Sequence, residues 1–237
     1  MMAAATHKRA ALAFQAAFPL TLPVMAGFLF LGIAYGILMQ NIGLGAGWTF
    51  LTSFLVFAGA MQYVAIALFA ADFNPLYALT VTLMVNARHI FYGLSMLEKI
   101  KGAGPFKPYV IFALCDETFS IICSAEAPDG VDRRFFMFFV AFLNRWYWIL
   151  GSLCGVFIGN LLTFDTQGLD FTLTALFVVI FLNQWAKPKS RPSALTGVGC
   201  SLLCLVVFGP DRFIIPAMAL ILGVFALSGK KLIGGVA

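Results

Sequence analysis

Long apolar blocks, several carrying an ionisable residue near the middle, constrain this chain more than any other feature. The blocks fall at 20–39, 48–71, 76–97, 109–124, 135–162, 171–185, 194–208 and 213–227. A helix needs about 20 apolar residues to cross roughly 30 Å of hydrocarbon. Only helices and closed barrels satisfy their own backbone hydrogen bonds there, and these blocks lack the alternation of barrel strands. A water-soluble domain carries roughly 25% charged residues. Here 11% of 237 residues are charged and 62% are hydrophobic. The expected fold is therefore an all-α polytopic membrane protein, a single integral membrane domain over 1–237 with seven or eight transmembrane helices.

Details along the chain refine this expectation. An amphipathic lead-in at 10–18 precedes the first block, and Pro19 and Pro23 are expected to bend it away. The apolar stretch after Lys8 and Arg9 runs on too far for the core of a signal peptide. Block 135–162 is long enough to tilt. Block 109–124 is shorter and more polar, and either spans or re-enters. With eight spans and both termini inside, the basic residues at 8–9, 133–134, 187–191 and 230–231 share the inner side, as the positive-inside rule asks. Lys99, Lys101 and Lys107 then lie outside, against the rule; a re-entrant block would move them and misplace Lys8 and Arg9. The net charge of +5 reflects such loops rather than nucleic-acid binding. The five cysteines all lie in apolar blocks, and their odd number argues against a disulfide framework.

A faint internal repeat is also visible. Leu31-Gly32, Gly36 and Asn41 recur as Leu150-Gly151, Gly155 and Asn160, a constant offset of 119 residues (Gly32 to Gly151). The offset also carries Leu76 onto Leu195. Halves at 20–124 and 135–229 would suit the repeat architecture of secondary transporters; chance is the rival reading. The pairs Gly32–Gly36, Gly151–Gly155 and Gly155–Gly159 have the spacing that lets membrane helices approach closely. Internal packing is the first reading and a partner interface the second.

The ionisable residues carry the functional argument. An Arg, Lys or Asp at the centre of a membrane helix costs about 2.5–3.5 kcal/mol on insertion scales, and such groups mark transport or ion pathways by default. Asn86, His89 and Gly93 share one helical face, with Arg88 and Tyr92 on its flank. Asp116 and Glu117 are the nearest counter-ions in sequence. A buried Arg–carboxylate pair that only fixes helix register is the bland reading. In the functional one, Arg88 meets a substrate carboxylate or a charge partner, and His89, Asp116 or Glu117 carries a proton. Gln62 follows Gly59, Ala60 and Met61, where a helix can loosen around a polar ligand; an interhelical hydrogen bond is the alternative. Asn144 and Arg145 precede Trp146, Tyr147 and Trp148, a trio that reads as an interfacial aromatic belt with Arg145 snorkelling. Asp170 reads as a charge at a helix N-terminus.

Absences narrow the class. There is no Walker P-loop, no His-Glu-x-x-His and no Cys-x-x-Cys, so no cofactor or metal is expected and an ATP-driven pump would need a partner ATPase. With His7 in the tail, only His89 could serve a Ser–His hydrolase, with Ser95 or Ser120, and nothing around those serines suggests it.

Gly59-Ala60-Met61-Gln62-Tyr63 resembles the Ala-Gly-Ser-Ala-Gln-Phe signature of the AzlC family, the large subunits of bacterial branched-chain amino acid exporters. Asn86-Ala87-Arg88-His89 with Tyr92-Gly93-Leu94-Ser95 is similar to the family's Asn-Leu-Arg-His and Tyr-Gly-Leu-Ser segments. Asp116-Glu117-Thr118-Phe119 resembles its Asp-Glu-x-Phe motif, and Leu169-Asp170-Phe171 its Leu-Asp-Phe. Met61 and Tyr63 replace the usual Ala and Phe, Ala87 replaces Leu, and Thr174 stands near a common proline. The resemblance implies a multi-pass permease of the bacterial inner membrane that works with a small AzlD-type subunit. It would export valine, leucine, isoleucine or a related amphoteric solute, with proton coupling. A non-transporting scaffold whose charges act as a structural lock is the alternative, and an intramembrane enzyme comes third.

Overall fold

The computed structural model of the chain describes residues 2–70, 74–86, 88–161 and 191–209, with scattered positions between 171 and 188 and between 213 and 224. Its regular elements there are all helical. The chain divides into two compact units, Met1–Leu169 and Asp170–Ala237.

The first unit is built on two long helices, α1 (Met2–Asn41) and α8 (Arg133–Leu161). They run parallel, because their contacts rise together in residue number. Phe14 meets Phe139 edge-on, the Thr21 hydroxyl lies 3.2 Å from that of Tyr147, and Phe28 meets the Trp148 ring. Beyond them Gly32 faces Gly151 and Ser152, Gly36 faces Gly155, and Gly159 rests on Ile37 and Gln40. A Cβ on Gly32 would fall 2.9 Å from the Ser152 amide nitrogen, and one on Gly151 would fall 2.9 Å from the Phe28 carbonyl oxygen. The glycine pairs are thus an internal interface between α1 and α8.

The expected lead-in at 10–18 is not set apart, since α1 runs as one helix through Pro19 and Pro23. Each proline removes a helix hydrogen bond. Tertiary packing compensates: Ala13 and Ala17 are fully buried, and Thr21 donates to the Phe18 carbonyl at 2.9 Å while facing Tyr147.

Two blocks are interrupted, 48–71, expected as a continuous span, and 109–124, expected to span or re-enter. Block 48–71 forms α2 (Ala46–Leu55) and α3 (Gly59–Ala70), with an unwound stretch at 56–58. Phe57 there has φ +44°. A left-handed non-glycine residue costs about 1–2 kcal/mol, and the Phe57 ring packs into the interior, where it is 5% exposed. Block 109–124 forms α6 (Lys107–Phe112) and α7 (Asp116–Ser124), with 113–115 unwound. Asp116 and Glu117 occupy the first turn of α7, where the helix dipole favours acidic groups. Apolarity alone does not register such a break, because its stability comes from side chains of α8.

Between these lie α4 (Pro75–Asn86) and α5 (Arg88–Lys101), flanking Ala87, which lies outside the described residues. The Asn74 side chain caps α4 by accepting from the Leu76 and Tyr77 amides at 3.1 Å, with Pro75 at the first helical position.

In the second unit, α9 (Arg191–Phe208) is the one long described helix, and Arg191 donates to the Trp185 carbonyl at 3.0 Å. Asp170 and much of blocks 171–185 and 213–227 lie outside the described residues. By length and apolarity α1, α8 and α9 each suffice to cross a membrane.

Candidate functional site

Asn144, Arg145 and Trp148 lie within one turn of α8 and meet the two interruptions. Asn144 is fully buried and donates through Nδ2 to the Thr118 hydroxyl at 3.1 Å, in the first turns of α7. The same hydroxyl lies 3.2 Å from the Cys115 sulfur, just before Asp116. Arg145 reaches the other way. It donates through Nη2 to the Phe54 carbonyl in the last turn of α2. Its guanidinium carbon stands 4.3 Å from the Phe54 ring centroid, 4.7 Å from Phe112 and 5.5 Å from Tyr109. A cation thus sits at the C-terminal end of α2, where the helix carries negative partial charge, with the aromatic rings of α6 beside it.

This corrects the expectation that Arg145 snorkels, because the residue is only 6% exposed. The aromatic belt is corrected with it. Trp148 is 4% exposed and contacts Phe28, Tyr35 and Tyr63, while Tyr147 is also buried and faces Thr21. Successive helix residues point about 100° apart, so a run of three aromatics on a central helix enters several interfaces rather than girdling one level.

Gln62 is the junction of α2, α3 and α8. Its Oε1 accepts from the Trp148 indole at 2.9 Å and its Nε2 donates to Ser53 at 3.1 Å, with the residue 2% exposed. Tyr63 donates to the Leu31 carbonyl at 2.6 Å, and the hydroxyls of Tyr35 and Thr52 lie 2.9 Å apart. The interruption falls just before the Gly59–Gln62 stretch that the sequence marks as loosened.

The α4–α5 residues reach α7 through α5. Asn86 ends α4 and its carbonyl lies 3.2 Å from His89 Nδ1. The His89 ring meets Tyr92 edge-on at 5.6 Å, and Tyr92 stacks on Phe119 of α7 at 4.7 Å. Arg88 opens α5, and its side chain lies outside the described residues. Helix α7 therefore joins both groups, holding Asn144 through Thr118 and Tyr92 through Phe119, with Asp116 and Glu117 half-buried between the break and these contacts. Sequence reasoning missed Trp148, Tyr35, Thr52 and Thr118. The available signal was that Trp148 lies one helical turn beyond Asn144 and Arg145.

Interrupted backbone at membrane depth is tolerated only where protein or a wet cavity surrounds it. Two interrupted helices, closed by buried polar side chains of a third, define a multi-pass helical membrane protein with a polar interior. The chain belongs to the AzlC family, whose model, described as AzlC protein, matches residues 23–162 and so spans Gln62, His89, Asp116, Glu117, Asn144 and Arg145. It is 53% identical over 220 residues to the "Branched-chain amino acid transport protein AzlC" of Bacillus subtilis (strain 168), covering 93% of this chain and 87% of that one. It is 43% identical over 207 residues to an "Uncharacterized membrane protein" of Haemophilus influenzae, covering 87% and 85%. The "Inner membrane protein YgaZ" of Escherichia coli K12 is 27% identical over 72% of each chain. No solved structure matches.

Proposed function

We propose that this chain is the large subunit of a secondary transporter that exports branched-chain amino acids (valine, leucine, isoleucine) or related small amphoteric solutes. Export is coupled to protons and needs a small AzlD-type subunit in the bacterial inner membrane. The observation that carries this reading is the 53% identity, over 93% of the chain, to a protein named for branched-chain amino acid transport. Membership of that family leaves no place for an enzyme. Discontinuous helices around buried polar groups are how secondary transporters build a central site, which supports the assignment.

An amphoteric substrate has a carboxylate, an ammonium and an apolar side chain. Arg88 or Arg145 holds the first and Asp116 or Glu117 the second, with Gln62, Asn86, Tyr92 and Asn144 shaping the site. His89, Asp116 or Glu117 carries the proton. Eight crossings fit best, because parallel α1 and α8 need an odd number of crossings between them, and 48–71, 76–97 and 109–124 supply three. Repeat halves are supported by one reciprocal contact: Gly36 meets Ser152 as Gly155 meets Ile33, each residue replaced by its counterpart 119 positions away (Gly36 to Gly155).

The test is export of labelled valine and leucine from cells carrying the chain with and without the small subunit. Efflux is expected only with the partner, falling to the background of empty cells with a protonophore or with Glu117→Gln. Native efflux under both treatments would remove proton coupling. No efflux of either solute in any arrangement would remove branched-chain amino acids as cargo.

A further inference from the structure

Four helices of the first unit line a half-open pocket of about 270 Å³, walled by Tyr35 of α1, Thr52 of α2, Met61 and Ala65 of α3, and Ala78 of α4. It opens beside the α2–α3 interruption, with Val56 and Gln62 also on its wall. We propose that this pocket is the subsite for the aliphatic side chain of the substrate and that Met61 sets its size. The identity of the ligand rests on the transport reading above.

The wall chemistry selects the occupant. Among the described residues, no charged side chain lines the pocket. Most of its polar groups are engaged within the protein, the Tyr35 hydroxyl with Thr52 and the Gln62 amide with both Ser53 and Trp148, and the Thr82 hydroxyl completes the polar lining. An ammonium or carboxylate entering here would lose water and meet no opposite charge among the described lining residues, with only hydroxyls such as Thr82 to replace it, which is costly. Apolar surface enters favourably. The charged head of an amino acid therefore stays outside the pocket and only its side chain goes in.

Size narrows the choice further. Pockets for drug-sized ligands run from about 300 to 1,000 Å³, so this one suits a small group. Each buried methylene is worth roughly fourfold in affinity, so leucine should outbind alanine, three carbons shorter, by about 50-fold. Met61 is 6% exposed and lines the pocket one residue before Gln62. Its flexible thioether fills irregular gaps, which makes it the natural limit on length. Ala65 and Ala78 are small on opposite walls, so a longer side chain at either would take the space of a ligand.

The experiment measures apparent affinity from the ligand dependence of the thermal midpoint of the full-length chain in detergent, alone and with its small subunit. The probes are leucine, valine, alanine and phenylalanine. The expected result is a leucine preference in the native chain, on the order of tenfold or more weaker in Ala65→Leu. Met61→Ala should gain affinity for phenylalanine. Ala78→Leu, on a different helix, guards against a folding defect in the first variant and should also weaken leucine binding. Unchanged leucine affinity in both filled variants, as for a lipid-filled crevice, would overturn the subsite, and so would a native chain that binds no leucine. Leucine binding with these preferences in a chain that exports nothing would keep the subsite and remove the transport reading. Export with unaltered selectivity in all three variants would do the reverse.

Discussion

Gly36→Ala and Gly155→Ala will each sharply lower the folded fraction and thermal midpoint in detergent, while Gly27→Ala and Gly47→Ala will leave them intact. A Cβ on Gly36 would press into the Ser152 carbonyl oxygen and lie 2.8 Å from the Val156 nitrogen. A Cβ on Gly155 would press into the Ile33 carbonyl oxygen and lie 2.8 Å from its carbon. These obstacles are backbone, so no rotamer change relieves them and the helices must separate. Between membrane helices no hydrophobic drive restores a lost contact, because lipid tails are as apolar as the interface. Overpacking costs about 1–3 kcal/mol where side chains can yield, so about 3 kcal/mol or more is expected here, a large part of a typical 5–15 kcal/mol stability. Gly27 and Gly47 have nothing within 4 Å of an added Cβ. Both are helical, and there Ala is favoured over Gly by about 1 kcal/mol. The measurement is the folded fraction by size exclusion with the thermal midpoint. A Gly36→Ala chain that behaves like Gly27→Ala would show that close approach of α1 and α8 is not what holds the unit together.

That interface was legible because it is local. Gly32–Gly36 and Gly151–Gly155 announce it by four-residue spacing, and the offset between the pairs names their partners. The interruptions were not legible for the opposite reason. Nothing in the composition of 48–71 marks the left-handed Phe57, and the groups that close the α2 end come from Arg145, far along the chain. Hydropathy likewise cannot separate an aromatic belt from a core stack, since Trp148 is equally apolar in both; its partners Phe28, Tyr35 and Gln62 decide. Among the candidate site residues, sequence singled out Gln62, Asn144 and the Asp116–Glu117 pair by their cost in hydrocarbon. It did not show that α7 would tie Asn144 and Tyr92 together through neighbouring residues, Thr118 and Phe119.

Replacing Arg145 by methionine will lower the thermal midpoint moderately and eliminate export, and replacing it by lysine will restore stability without restoring export. Methionine keeps most of the side-chain length but leaves the Phe54 carbonyl, at the end of α2, without its donor, a loss of about 1–3 kcal/mol. Lysine keeps the charge and can reach that carbonyl, but it lacks the planar face that rests on Phe54 and Phe112. The larger effect on export follows from two atoms the fold leaves unused. Arg145 Nε and Asn144 Oδ1 are buried and have no hydrogen-bond partner among the described residues. Each such atom costs roughly 1–3 kcal/mol, and a purely structural arginine would be expected to spend its donors on the fold. The unused Arg145 donor and the unused Asn144 acceptor are of the kinds that a substrate carboxylate and ammonium, or the altered contacts of a second transport state, would engage. Export rates from cells and thermal midpoints of the purified variants separate these roles. Native export by Arg145→Met with a lowered midpoint would reduce Arg145 to a tie between α2, α6 and α8. Export lost in Arg145→Lys at a native midpoint would place the guanidinium in the transport cycle itself.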